Sequence, residues 1–478
     1  MDTAGYNHIA LAALAIWFPT VIAMFALMKP RRAVIGAFVF GYLLLPDMNI
    51  HLHTVPDINK VSITGVSVIL GSLIFDGLKL FTIRPRLIDL AAITLCFVPV
   101  ITSHTNDLGI MDGLATSSTI VTRWGLAYWI GRAYFTDWES TRELAMGIII
   151  GGLVYVPLCW WEIRMSPRLH GQIYGVTFDS FRRDSGLFGF RPNVFLADGL
   201  TVTMFMGVCT LLAYWAWMTQ SPKKLLNIPM FYIFVTLFGT TVFCKALGGL
   251  VLMLAGITAL TMTRWPRTKL AAFVLIIIPF IYVGVRSNKN WDGDSLVESA
   301  RSISDERAKS LAFRLKNENM LTTKALEQPW FGWGGSGRSQ VYDISDGHRR
   351  TIVDGLWIVM LGEHGIVGLG ALLTMALGSA FLLWRRVPTR FWSDPACAAP
   401  VSLAVVVSLY MIDGLFNATF NPVASLAVGA VASMSFVARD LFRGAPAPAR
   451  QQQQRPAAAV VTGVSDMPYV YARPRTAR

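Results

Sequence analysis

The 478-residue sequence is apolar and basic: 54% of its residues are hydrophobic, 15% are charged, and the formal net charge is +13. This composition excludes an ordinary soluble globular protein and predicts an all-α polytopic membrane protein. The basic residues form short clusters between apolar runs, as loop charges of membrane proteins do, so they do not indicate nucleic-acid binding. The five cysteines lie singly in apolar segments, and their spacing predicts neither a metal site nor a disulfide framework.

Thirteen apolar segments follow one another along the chain and predict about 12–13 transmembrane helices. They lie at about 8–28, 33–46, 61–76, 87–103, 114–131, 143–161, 193–218, 225–243, 246–263, 270–285, 365–384, 396–416 and 422–438. The first segment has no preceding basic region and no small-residue cleavage site, so we expect it to be a retained span and not a signal peptide.

The basic connections predict the orientation of the chain. "KPRR", "KLFTIRPR", "SPKK", "RWPRTK" and "RRVPTR" occupy alternate gaps, and the positive-inside rule places those gaps in the cytoplasm. The connections 47–60, 104–113, 162–192 and 286–353 then face outward. The tail after Arg439 is cytoplasmic by the same alternation, and its Pro-, Ala- and Gln-rich composition predicts disorder.

The long polar segment 286–353 must lie in water, because each charge in hydrocarbon costs about 2.5–3.5 kcal/mol. This segment therefore divides the chain. The predicted parts are a membrane domain at 1–285 with an outer loop at 162–192, a large periplasmic loop at 286–353, a re-entering helix with the last three spans at 354–438, and a disordered basic tail at 439–478. Within the loop, apolar residues at helical spacing between Ser302 and Pro329 predict an amphipathic helix. The Gly-rich "GWGGSGR" that follows predicts irregular backbone.

Several polar residues interrupt the apolar pattern. The outer loop 162–192 holds five arginines against three acids, and such a set indicates either solvated surface charges or a site for an anionic lipid head group, which the arginine fork binds bidentately. Lys245 lies between two spans with almost no loop, where an ionisable residue is either functional or snorkels to the interface. Glu363 and His364 pose the same question. Gly362, Gly365 and Gly368 also suit small-residue helix packing.

Three motifs give the chain a resemblance to a known family. "RRDSGLFGFRPNVFLADGL", "CKALGGL" and "PWFGWGGSGR…TIVDGLWIVMLGEHGIVGLG" resemble signatures of the O-antigen ligase and O-antigen or exopolysaccharide polymerase superfamily of bacterial membrane glycosyltransferases. The first falls on Arg183, Ser185, Gly186, Phe188, Pro192 and Asn193, with two extra residues before the proline. The last falls on Pro329, Phe331, Gly332, Gly334, Glu363, Gly365 and Gly368. The resemblance covers nearly the whole chain and implies a GT-C-like fold in the bacterial inner membrane.

Two positions depart from the family pattern. Asp354 and Gly355 stand where ligases carry "HN", and Lys245 stands where the family usually carries arginine. Aspartate is a competent general base, and lysine holds phosphate as a point charge. We therefore expect Asp354 to be the catalytic base, with His348 as the second choice. Asp354 is equally well suited to cap the following helix.

The resemblance implies transfer of a glycan from undecaprenyl diphosphate to an acceptor hydroxyl at the periplasmic face. We expect the departing diphosphate to be held by protein cations alone, without a metal or other cofactor. The candidate cations are Arg183, Arg191, Lys245 and Arg338.

Four functions compete at this stage. The leading hypothesis is a polysaccharide polymerase, whose acceptor is another lipid-linked repeat unit. The second is an O-antigen ligase, whose acceptor is a lipid A core or a protein. A lipid-linked glycan flippase or exporter belongs to another class, and the chain shows no internal repeat of the kind that many transporters have. The fourth is a non-catalytic assembly scaffold. The expected partners are the lipid-linked donor, the acceptor glycan, membrane lipid and, as a further candidate, a chain-length regulator.

Overall fold

The structure is a computed structural model that describes residues 5–50, 57–177, 189–265, 267–288, 291, 293–302, 305–343 and 347–442. The first half of the described chain contains α1 (His8–Leu27), α2 (Pro30–Leu44), α3 (Lys60–Phe75), α4 (Leu87–Thr105), α5 (Ile110–Ile120), α6 (Leu126–Tyr134), α7 (Trp138–Met165), α8 (Leu169–Tyr174) and α9 (Gly199–Thr219). The second half contains α10 (Met230–Phe243), α11 (Leu247–Arg264), α12 (Leu270–Ser287), α13 (Asp294–Arg301), α14 (Asp305–Ala325), α15 (Leu356–Leu373), α16 (Ser379–Arg386), α17 (Ala398–Asp413) and α18 (Pro422–Phe442). Two strands of two residues each, β1 (Lys224–Leu225) and β2 (Ile228–Pro229), pair antiparallel in a hairpin.

Eight helical stretches of the described chain are long and apolar enough to cross a membrane. They are α1, α4, α7, α9, α11, α12, the continuous stretch α15–α16, and α18. The protein is therefore an all-α multi-pass membrane protein, which confirms the class predicted from the sequence. The other five predicted segments also fall on helices. Four of these helices, α2, α3, α10 and α17, have only 14–16 residues. The fifth segment covers α5 and α6, which a π-helical turn at Val121–Gly125 joins to each other. The prediction of 12–13 spans thus exceeds the eight stretches of the described residues that are long and apolar enough to cross a membrane.

Burial separates central helices from peripheral ones. In α9 and α18, 83% of the span is buried, whereas the corresponding shares are 22%, 33% and 28% in α1, α11 and α12. The peripheral helices expose large apolar side chains, for example Ile16, Val251 and Ile281. Such a continuous apolar surface would be unfavourable in water. In a membrane it contacts lipid tails, which are as apolar as the side chains themselves.

The large polar loop is built around α14, and this confirms the amphipathic helix predicted between Ser302 and Pro329. A buried ion pair anchors that helix to the membrane domain: Nε of Arg286, at the end of α12, lies 3.1 Å from Oε2 of Glu318. The same carboxylate accepts a hydrogen bond from the Tyr282 hydroxyl at 2.9 Å. These bonds satisfy a charge pair whose burial would otherwise be unfavourable, so α14 is held in one position against α12.

Candidate functional site

A polar cavity of about 470 Å³ opens at one end of the helices, where the connection 47–60 and the end of the polar loop 286–353, both predicted to face outward, meet the start of α9 and the connection between α17 and α18. Its charged lining consists of Asp47, Lys60, Arg123, Asp198, Arg314 and Asp354, and its neutral polar lining includes Asn49, Asn59, Thr201, Asn417 and Thr419. We call this the polar cavity. Three cations and three carboxylates therefore face one space, although they come from widely separated parts of the chain.

Asp354, the predicted base, lines this cavity beside Arg314 of α14. The Arg314 Nε lies 3.6 Å from the Asp354 Oδ2, and both side chains are about one-third exposed. The capping interpretation of Asp354 is wrong, because Gly355 occupies the N-cap of α15 and no side-chain bond caps that helix. The carboxylate is therefore directed to the cavity and not to the helix start.

Lys60 is the most deeply buried cation of the cavity lining. Its side chain is 8% exposed, and its Nζ lies 3.3 Å from Oδ1 of Asp47 and 5.4 Å from the centre of the Tyr42 ring. Asn59 caps α3 by accepting hydrogen bonds from the backbone N–H groups of Val61 and Ser62. The capped helix start thus fixes where the lysine enters the cavity.

Arg123 lies on the π-helical turn between α5 and α6 and points its exposed side chain into the cavity. Among the described residues it makes no ion pair within 4 Å, whereas Lys60 and Arg314 each have an aspartate partner. π-Helical turns often occur at functional sites. The sequence analysis missed Arg123, although an arginine inside the apolar segment 114–131 is the kind of residue that signals function.

Another part of the cavity lining comes from the connection between α17 and α18. Asp413 accepts hydrogen bonds from the Asn417 amide at 2.7 Å and the Thr419 hydroxyl at 3.3 Å. Asp198 caps α9 by accepting the Thr201 N–H at 2.7 Å. The polar side chains of this wall are therefore held in defined positions, as a preorganised binding site requires.

Two of the predicted phosphate-binding cations lie outside the lining of the polar cavity. The Arg191 guanidinium donates to the backbone oxygen of Lys245 at 3.3 Å, and the Lys245 Nζ donates to the backbone oxygen of Gly189 at 2.6 Å. The two residues therefore join the segment before α9 to the turn between α10 and α11. Lys245 has a φ of 59° in that turn. Arg183, the third predicted cation, lies outside the described residues.

The proline and asparagine of the first motif lie in a turn held by one buried carboxylate. Glu162, at the end of α7, accepts the backbone N–H groups of Asn193 and Val194 through its Oε2, both at 2.7 Å. Its Oε1 accepts the N–H of Leu169 at 2.9 Å. The carboxylate replaces a regular hydrogen-bond ladder in this irregular segment and positions the entry to α9.

Arg338, the fourth predicted cation, also lies outside the cavity lining. Its guanidinium forms a fork with Asp112 of α5, with distances of 2.8 Å to Oδ1 and 3.3 Å to Oδ2. Ser103 of α4 donates to the same carboxylate at 2.8 Å. Burial raises the pKa of Asp112, but the bonds from Arg338 and Ser103 and the arginine charge outweigh it and hold the pKa below its ordinary value. In this structure Arg338 attaches the glycine-rich loop to α4 and α5.

His348, the second candidate base, is exposed in the polar loop and does not line the polar cavity. Its backbone oxygen accepts the N–H of Asp343 at 2.8 Å, and a β-bridge pairs Tyr342 with Arg349. The structure therefore brings Asp354, but not His348, together with the cavity cations.

The glycines of the last motif join the polar loop to a break in α15. Gly365 has φ 64° and ψ −166°, which interrupts the helix. The backbone groups beside this break form hydrogen bonds with the loop. The N–H groups of Trp333 and Gly334 donate to the backbone oxygens of Gly362 and Glu363 at 2.9 and 3.0 Å, and the N–H of Ile366 donates to the backbone oxygen of Pro329 at 2.7 Å. The loop thus takes the hydrogen bonds that the broken helix leaves unmade.

Close approach explains why these positions are glycine. A Cβ on Gly332, whose φ is 70°, would lie 2.6 Å from the Glu363 carbonyl carbon and 2.7 Å from the Gly365 nitrogen. A Cβ on Gly365 would collide with the backbone of Trp330. Gly334 also has a positive φ, of 84°. The motif is therefore a loop-to-helix junction, and the helix–helix packing considered for Gly365 is not what the structure shows.

No protein-family model matches this chain, and no curated protein matches it. The family resemblance consequently rests on the sequence motifs alone. No cluster of three or more His, Cys, Asp or Glu residues suited to a metal ion occurs in the described part of the chain.

Proposed function

We propose that the protein is a membrane glycosyltransferase that takes its glycan from a lipid diphosphate, and that the polar cavity is its active site. The observation that carries this proposal is that the Asp354 carboxylate shares one cavity with the cations Arg123 and Arg314. Glycosyl transfer from a diphosphate needs both groups together: a base for the acceptor hydroxyl and cations for the departing diphosphate. The motif resemblance supports the same reaction.

The proposed reaction is a single displacement at the anomeric carbon. Asp354 accepts the proton of the acceptor hydroxyl, whose oxygen forms the new bond to the anomeric carbon. The bond from that carbon to the diphosphate oxygen breaks, and the lipid diphosphate leaves with the electron pair. The carboxylate is protonated at the end of the step and returns its proton to water.

Arg123 is the cation best suited to stabilise the departing diphosphate, because no carboxylate of the described residues pairs with it within 4 Å. Arg314 lies beside Asp354 and can donate a hydrogen bond to a phosphate oxygen while Asp354 accepts the proton of the acceptor hydroxyl. An arginine fork binds phosphate oxygens bidentately and needs no reorganisation when it is already held in place. Lys60 adds positive charge from a buried position, although Asp47 offsets part of it.

The proposed acceptor is a second lipid-linked repeat unit, so that the product is a polysaccharide. The test is to supply the purified protein with undecaprenyl-diphosphate-linked oligosaccharide and to separate the products by size. A ladder of increasing length is the expected result. One addition to a lipid A core or protein acceptor, without a ladder, would instead identify a ligase. Movement of unchanged donor across vesicles, without any transfer, would contradict glycosyl transfer altogether.

The same assay tests whether a metal takes part. With protein cations stabilising the diphosphate, EDTA is expected to leave the rate of ladder formation unchanged. Loss of the ladder in EDTA, with recovery on addition of magnesium or manganese, would contradict a site built from cations of the chain alone.

A further inference from the structure

A second cavity, of about 250 Å³, lies at the other end of the helices. It is lined by Lys79, Arg84, Arg86, Arg132, Thr136 and Phe436 among others, and its lining contains no acidic residue. We call it the basic cavity. Phe420 lines the polar cavity just before α18, whereas Phe436 lies 14 residues along that helix, which corresponds to about 21 Å at 1.5 Å per residue. The two cavities therefore occupy opposite ends of the bundle.

One side of the basic cavity is fixed by a buried ion pair. Arg132 of α6 donates to Asp89 of α4 through Nε at 2.9 Å and through a terminal nitrogen at 3.0 Å. It also donates to the Ser433 hydroxyl of α18 at 2.8 Å and to the Arg84 backbone oxygen at 3.3 Å. Arg132 is thus engaged on all sides, and it holds α4, α6 and α18 together.

The remaining cations of the lining lack such partners. Lys79, Arg84 and Arg86 make no ion pair among the described residues. Four guanidinium groups also gather around one aromatic ring: those of Arg86, Arg132, Arg386 and Arg439 lie 5.0–5.8 Å from the centre of Phe436. Cation–π attraction favours each arginine. Asp89 and Asp440 balance the charges of Arg132 and Arg439, whereas no carboxylate of the described residues pairs with Arg86, whose charge the neighbouring arginines repel. An anion in the cavity would relieve that repulsion.

The surroundings indicate what kind of anion fits. The segment that supplies Lys79, Arg84 and Arg86 also exposes Phe81 and Leu87, whose side chains are 69% and 87% exposed. The segment lies in a connection predicted to face the cytoplasm, between α3 and α4, both of which expose apolar side chains. A ligand with a charged head and apolar tails satisfies both kinds of surface, whereas a free phosphate would leave the apolar side chains in water.

We propose that the basic cavity binds the phosphodiester head group of an anionic phospholipid of the cytoplasmic leaflet, with acyl chains lying against the apolar side chains beside it. Arg84 and Arg86 contact the phosphate, and Lys79 adds charge at the rim. Arg132 supports the cavity wall and does not need to release Asp89. The site is independent of the polar cavity and of the reaction proposed there.

The test compares binding of phosphatidylglycerol and of phosphatidylcholine to the full chain in neutral detergent. The wild-type protein is expected to prefer phosphatidylglycerol. Removal of two cations, in the double variant Arg84→Gln/Arg86→Gln, should weaken its binding roughly 25-fold, since each cation near an anionic lipid contributes about fivefold. The matched double variant Lys223→Gln/Lys224→Gln removes the same charge from another connection predicted to be cytoplasmic and should bind like the wild type.

Three outcomes would overturn the proposal. Equal loss in both double variants would show a general charge effect and no site. Displacement of the lipid by an equal concentration of inorganic phosphate would show a site for soluble anions. If the double variant does not fold, Arg84→Gln alone changes one exposed side chain and retains the backbone oxygen that Arg132 uses; it should weaken binding about fivefold, and unchanged binding would contradict the proposal.

Discussion

Asp354 and Arg314 form the contact on which the proposed chemistry depends. The pair is partly exposed, so its loss should lower the free energy of unfolding by only about 0–1 kcal/mol. Gly355, and not Asp354, occupies the N-cap position of the following helix, and no side chain caps that helix. Substitutions of Asp354 therefore separate catalysis from folding more cleanly than the sequence alone suggests.

Asp354→Asn is expected to reduce the rate of lipid diphosphate release by about 10²–10⁴-fold, because the amide cannot accept the proton of the acceptor hydroxyl. Thermal unfolding in detergent should change little. His348→Ala is the matched control and should retain near-normal turnover, since His348 does not line the polar cavity. Normal turnover in Asp354→Asn, with loss in His348→Ala, would transfer the base role to the histidine. Recovery in Asp354→His would show that either side chain serves at this position.

Arg338 illustrates a cation whose partner lies far away in the sequence. Asp112 is 226 positions from it, and the two residues join the polar loop to α4 and α5. We expect Asp112→Asn to lower the free energy of unfolding at pH 7 by on the order of 1 kcal/mol, because the fork loses its charge and remains partly exposed to solvent.

The pH dependence of this difference has a defined sign. The pKa of Asp112 is lowered in the folded protein, so its contribution to stability is complete above the unfolded pKa of about 4 and is lost as the pH falls through the folded value. Thermal unfolding of wild type and Asp112→Asn should therefore differ at pH 7 and converge below about pH 4. Asp107→Asn, at an exposed neighbouring position, should resemble the wild type throughout. A difference that stays constant down to the lowest pH would contradict the ion-pair account.

At the scale of elements, the junction between the polar loop and the broken helix α15 positions the site. The α15 segment before Gly365 begins at Leu356, two residues after Asp354, and α14 supplies Arg314. The hydrogen bonds from residues 329–334 to the helix break hold these two elements in register. In the proposed reaction, the motif glycines therefore act by placing these elements and not by contact with the substrate.

Gly332→Ala is expected to destabilise the protein by at least 1–3 kcal/mol, because the new Cβ meets fixed backbone atoms and the residue must keep a positive φ. The measurement is the thermal unfolding midpoint and the yield of monodisperse protein in detergent. Gly370→Ala is the matched control, since a Cβ there meets no atom within 4 Å, and it should be neutral or slightly stabilising. Equal behaviour of the two variants would contradict the junction described above.

At the scale of the whole molecule, apolar periodicity predicted the helices well. All thirteen segments fall on helices, and the amphipathic loop helix lies where its pattern placed it. Three features escaped prediction for physical reasons. Arg123 lies within an apolar run, which the pattern assigns to a span as a whole. The Lys245 side chain bonds to a backbone oxygen, and residue spacing does not predict such a bond. The Lys60–Asp47 pair joins the two ends of one connection, whose fold the apolar pattern does not predict.

The charge distribution predicts how the bundle lies in the membrane. A reporter fused after Val297, in the polar loop, should lie in the periplasm, and a reporter fused after Arg450 should lie in the cytoplasm. A fusion after Lys224, in the hairpin between α9 and α10, should report the cytoplasm and serves as an internal control. Finding both the Val297 and Arg450 fusions on the same side would contradict the topology.

The most direct test of the polar cavity as the active site is the rate of undecaprenyl diphosphate release from a purified lipid-linked oligosaccharide, in the wild-type protein and in Arg123→Gln. The account predicts that release accompanies glycan transfer in the wild type, and that Arg123→Gln lowers the release rate by about 10²–10³-fold, as loss of one preorganised donor to a developing charge does. Lys224→Gln, which removes an exposed cation far from the cavity, should keep the wild-type rate. No release by the wild type, or an undiminished rate in Arg123→Gln, would contradict the account.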